Sequence, residues 1–144
     1  MRSFLLTIAA FAVAGVLLAP PVPEACGQEV RPAIKPSAKG VATPTISFRE
    51  DVFPIFKGRC LECHQPGGPG YEKSGLDLST YEGVMKGTKF GPMVIPKDPE
   101  SSNLMVLLDW RASPELRMPH GKKKLSTCDR DAIRRWIREG AKDN

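Results

Sequence analysis

The residues best suited to chemistry occupy five consecutive positions, Cys60-Leu61-Glu62-Cys63-His64. Cysteines three apart fall on nearly the same side of one helical turn, so both sulfurs can add to the two vinyl groups of a haem. The imidazole of His64 follows directly and comes to lie under the iron once the thioethers form. The spacing points to one covalent haem c, bound through Cys60 and Cys63 with His64 as an iron ligand. Other chemistries fit less well. A thioredoxin-like redox pair needs a βαβ setting that the sequence lacks. Cys60, Cys63, His120 and Cys128 are acceptable zinc ligands by type, but the spacing from His120 to Cys128 matches no common zinc pattern and His64 is left unexplained. A disulfide between Cys60 and Cys63 would close a small, strained loop.

A second axial ligand should be a thioether or an imidazole from far along the chain. The candidates are Met85, Met93, Met105, Met118 and His120. Met85 and Met105 fall within predicted helices, where methionine is usually core filler. Met118 precedes Pro119 in a predicted loop before the last helix, far enough from His64 for the chain to wrap to the other haem face. Met118 is the favoured ligand, with Met93 and His120 as alternatives.

The elements that must position these residues are read from caps and periodicity. Ser47-Phe48-Arg49-Glu50, Ser79-Thr80-Tyr81-Glu82 and Ser126-Thr127-Cys128-Asp129 each place an acidic residue three after a serine, the capping-box layout. Asp98-Pro99 offers a fourth start, and Gly58, Gly87 and Gly140 offer stops. Phe48, Val52, Ile55 and Phe56 share a helical face, as do Ile133, Trp136 and Ile137. Pro54 removes one backbone hydrogen bond, so the first helix is kinked there or made of two pieces. Met93-Val94-Ile95 is too short for a strand. The fold class is mostly α, about four helices with long loops.

The chain has 144 residues and a formal net charge of +5. Residues 1–27 read as a signal peptide: a basic start at Arg2, an uncharged and largely apolar run from Phe4 to Ala19, and Ala25-Cys26-Gly27 as a cleavage box. Residues 28–45, with Pro32, Pro36 and Pro44, read as a flexible linker. Residues 46–142 are left as one small folded domain, for which a bulky apolar cofactor would be a substantial part of the core. The protein is expected to be exported, to a periplasm or its equivalent, and to associate with a membrane only if the N-terminal segment is retained. The four cysteines suggest no disulfide framework, since Cys26 leaves with the signal and Cys128 stands alone. Nucleic acid is excluded as a partner by the absence of a binding motif. Lys122, Lys123 and Lys124, with Arg130, Arg134 and Arg135, are a candidate docking patch for an acidic redox partner.

From Phe48 to Ala141 the sequence resembles the planctomycete-type single-haem cytochrome c domain. The stretches that carry the resemblance are Asp51-Val52-Phe53-Pro54-Ile55, the haem motif, Gly75-Leu76-Asp77-Leu78, Val94-Ile95-Pro96 with Asp98-Pro99-Glu100-Ser101-Ser102, Met118-Pro119, and Leu125-Ser126 with Trp136-Ile137 and Gly140-Ala141. It departs at His120, where the family commonly has a second proline. The resemblance implies a class-I-like cytochrome c fold with the first and last helices crossing near the haem edge, and Met118 as the distal ligand. An enzyme or ligand sensor would need an open iron position, and two-haem peroxidase chemistry a second motif, so the chain reads as an electron carrier rather than an enzyme.

Overall fold

The computed structural model describes residues 45–144. The expected signal segment, and the expected linker except Thr45, lie outside the described residues. Among the described residues there are five short α-helices: α1 (Phe53–Arg59), α2 (Pro69–Ser74), α3 (Tyr81–Lys86), α4 (Asn103–Leu108) and α5 (Thr127–Arg138). A π-helical segment, Phe48–Val52, leads into α1, and a 3₁₀ turn covers Pro114–Leu116. Among the described residues there is no strand, only a bridge between Thr88 and Gly91. No helix there is long and apolar enough to cross a membrane.

Pro54 divides the first helical stretch into two pieces. It sits in the first turn of α1, where a missing N–H costs nothing. The wider π turn also changes the cap. Ser47 Oγ accepts from the Glu50 N–H at 3.2 Å, but the carboxylate that reaches back to the Ser47 N–H is that of Asp51, at 2.7 Å, and not Glu50. Gly58 does not stop this helix, which runs on to Arg59.

The other caps show where side chains compete for the backbone. Ser126 caps α5 as its spacing predicts, accepting from the Asp129 N–H at 3.0 Å. At α3 the cap moves to Thr80, because Asp77 Oδ1 takes both the N–H and the hydroxyl of Ser79. Asp98 caps only a turn, through the Ser101 N–H. Helix α4 starts later, behind the fully buried Ser102, whose hydroxyl donates to the Asp98 carbonyl and accepts from the Ile95 N–H. Helix α2 was not expected from the apolar pattern. Its signals are polar ones, Pro69 at the first position and Gly75 in the left-handed conformation at the end.

Phe48 is the hub of the core. Its ring lies 5.3 Å from Trp136 on α5, 5.3 Å edge-on from Tyr81 on α3, and 6.4 Å from Phe56 on α1. The expected faces are buried, Phe48, Val52 and Phe56 on one side and Ile133, Trp136 and Ile137 on the other, except that Ile55 is only partly buried. The two aromatic hydroxyl and indole groups of this cluster are both satisfied by the C-terminal segment, Tyr81 donating to the Ala141 carbonyl and Trp136 to that of Lys142. The first and last helical stretches are thus joined through their rings.

Candidate functional site

The five-residue motif is a turn that continues directly from α1. The Phe56 carbonyl accepts from the Cys60 N–H at 2.8 Å, and the Cys60 carbonyl accepts from both Cys63 and His64 at 3.1 and 2.9 Å. Backbone bonds then close the exit: Tyr71 donates to the Cys63 carbonyl, and Leu78 to that of His64. Both thiols are free and half-buried. Burial pushes the Cys60 thiol up to about 11, the reverse of the thiolate character that a redox cysteine or metal ligand needs.

His64 is the unusual member. Its Nδ1 is buried and, among the described residues, is the one such side-chain nitrogen or oxygen without a hydrogen-bond partner. Burial lowers its pKa, while the nearby Leu76 backbone acts in the opposite sense without forming a well-aligned bond to Nδ1. An unpaired buried nitrogen is costly unless something outside the chain uses the ring. Gly70 holds that ring in place by close approach. A Cβ at position 70 would stand 2.8 Å from Cε1 and 3.0 Å from Nδ1 of His64, and one at Gly68 would stand 2.5 Å from the Cys63 carbonyl oxygen. The Gly68-Pro69-Gly70 sequence therefore lets α2 begin against the imidazole. Two free thiols on one turn beside an uncommitted imidazole are a donor set that fits a covalently bound haem.

Met118 lies in a loop, partly buried against the core. Its N–H donates to the Leu107 carbonyl at 3.2 Å, and its carbonyl accepts from Trp110 Nε1 at 2.9 Å. Met93 and Met105 are buried core residues, Met85 packs partly buried against them, and His120 is exposed. The loop after Met118 is fastened to the motif itself. Lys122 pairs with Glu62, and Arg59 donates to the Lys123 carbonyl at 3.3 Å.

The surroundings of the motif bear on the rejected zinc set, on Cys128 and on the basic patch. Among the described residues no three His, Cys, Asp or Glu side chains are placed to hold a metal ion, so the alternative zinc set does not converge. Cys128 is disulfide-bonded, which overturns the expectation that it stands alone. The basic patch is also largely engaged within the chain. Arg130 and Arg134 bond the Asp109 carboxylate at 2.8 and 2.7 Å, Arg135 lies 3.5 Å from Glu139, and Lys124 donates to the Asp109 carbonyl. Sequence reasoning missed Asp109, Gly70 and the donor role of the Trp110 indole, of which only the Gly-Pro-Gly run left a local signal.

A two-thiol turn followed by an uncommitted imidazole at the end of the entry helix is the arrangement that covalent haem attachment needs. Residues 60–120 match the family model described as planctomycete cytochrome C, a span that opens on Cys60 and closes just after Met118-Pro119. The match supports a planctomycete-type cytochrome c domain over that stretch. The family implies covalent haem c and electron transfer, and such domains are usually exported. No match is found among curated proteins or solved structures.

Proposed function

We propose that the protein is an exported single-haem electron carrier, its haem held by thioethers to Cys60 and Cys63 and its iron by His64 and Met118. The observation that carries this reading is His64: an imidazole with an unpaired buried nitrogen, at the head of a segment matching a cytochrome c family. When bound, the haem supplies a reversible ferric–ferrous couple. The chain does the rest. Cys60 and Cys63 fix the edge of the ring, His64 and Met118 set a high potential, as His/Met ligation does, and core-packed Cys60, Leu61 and Met118 keep water away. Met118 is preferred over Met93 and His120 because its backbone is held at both ends in a loop tied to the motif.

The partner is an acidic redox protein that docks on Lys122, Lys123 and Lys124, with Arg130, Arg134 and Arg135 behind them. Arg130 and Arg134 serve mainly to hold Asp109, so exposed Lys123 is the most available charge. Electron transfer to such a partner should slow as ionic strength rises.

A visible spectrum of the matured, reduced protein tests the reading, with haem and chain quantified together. One haem per chain with a narrow low-spin α band is expected. High-spin iron that takes up ligands immediately would indicate a sensor or enzyme instead. A colourless folded protein would end the proposal.

A further inference from the structure

We propose that Trp110 positions the distal ligand, acting on Met118 through its backbone carbonyl rather than on the iron; this rests on the His64/Met118 reading above. Helix α4 ends with the Arg111 N–H donating to the Val106 carbonyl at 3.0 Å and the Trp110 N–H to that of Leu107 at 3.3 Å. This pair of bonds is the Schellman arrangement, whose left-handed position is usually glycine. Glycines with positive φ do follow α2, α3 and α5, at Gly75, Gly87 and Gly140. Behind α4 the position is held by Trp110, at φ 62. A bulky side chain in this region is strained and persists only where its surroundings over-determine it.

The side chain explains the exception. The indole Nε1–H donates to the Met118 carbonyl at 2.9 Å, while the Met118 N–H donates to Leu107, the same carbonyl that the Trp110 N–H uses. Met118 is thus pinned from both peptide groups to the end of α4. The ring is held in turn by cations: Arg117 Cζ lies 5.6 Å and Lys124 Nζ 5.7 Å from its centroid. Lys124 is anchored on the Asp109 carbonyl at 2.7 Å. A glycine at 110 would relax the turn but release the ligand loop.

The test uses the full-length matured protein. Trp110→Phe keeps a ring and removes the donor. It should retain covalent haem and a low-spin ferrous spectrum. Carbon monoxide, which enters only when the thioether leaves, should bind roughly fivefold to tenfold faster, the size of one lost hydrogen bond to a half-buried carbonyl. The ferric near-infrared charge-transfer band should vanish at lower pH than in the parent protein. Should Trp110→Phe fail to mature, 3-benzothienylalanine at position 110 replaces only the N–H with sulfur and decides the matter. Unchanged carbon monoxide rates in the variant that matures overturn the proposal. So does an equal acceleration in Ile137→Val, which loosens α5 without touching the loop. If Met118→Ala itself leaves the band intact, the axial assignment has failed first, a result distinguishable from failure of Trp110 alone.

Discussion

The proximal and distal sides of the candidate site are built in opposite ways. On the proximal side everything lies within Phe56 to Leu78: one helix end, one turn, one glycine pair and a few backbone bonds between near neighbours. On the distal side Met118 depends on Leu107 and Trp110, and its loop on Glu62 and Arg59. The first is a local motif that folds on short loops at little entropic cost. The second exists only after α4, the Met118 loop and the motif turn have met. The proposed attachment site is held by neighbours in sequence. The proposed distal ligand is held by the tertiary structure.

The largest effect should come from the local side. Cys60→Ala with Cys63→Ala should abolish covalent haem, read as loss of haem stain on denaturing gels; retained stain would show attachment elsewhere. Next comes the distal side. Met118→Ala should keep covalent haem but lose the near-infrared band and lower the reduction potential by on the order of a hundred millivolts. Disappearance of the band in Met93→Ala instead would move the distal ligand into the core and undo the contrast. His120→Ala combined with Met118→Ala tells whether the nearby imidazole takes over.

A smaller effect tests how rigid the proximal side is. Gly70→Ala puts a methyl group against Cε1 and Nδ1 of His64. Overpacking there should cost roughly 1–3 kcal/mol of stability in thermal unfolding and shift the haem spectrum as the imidazole tilts. A silent Gly70→Ala would mean that the ring has room to move.

An effect of similar size on stability, with none on the haem itself, concerns the support of the distal side. Asp109 ends α4, and its carboxylate is 10% exposed between Arg130 and Arg134. Burial by itself would raise its pKa, but the hydrogen bonds from the two guanidinium groups outweigh this and hold it below the usual carboxylate value. Asp109→Asn should lower stability by about 2 kcal/mol near neutral pH. Because the folded-state pKa is depressed, that contribution is complete above the unfolded value of about 3.9 and fades as pH falls through the folded one. Melting curves of Asp109→Asn and parent should therefore converge at low pH. A constant gap would assign the loss to packing rather than charge.

What the sequence by itself determined is whatever short-range chemistry dictates. The spacing of Cys60, Cys63 and His64 follows from one helical turn, the start of α5 from the Ser126 hydroxyl, and its end from Gly140. The faces of Phe48, Val52, Phe56, Ile133, Trp136 and Ile137 follow from the helical period. The errors arose where two local choices were close in energy. Ser79 gave up its cap to Thr80 because Asp77 competed for it, and Asp98 made a turn because Ser102 had a buried place to fill. Helix α2 was hidden because none of its side chains is buried. The tertiary structure alone decided the long-range pairs: Trp110 with the Met118 carbonyl, Asp109 with Arg130 and Arg134, Lys122 with Glu62. Such pairs carry no local signature, since a hydrogen bond or ion pair constrains distance in space and leaves the number of residues between its partners free.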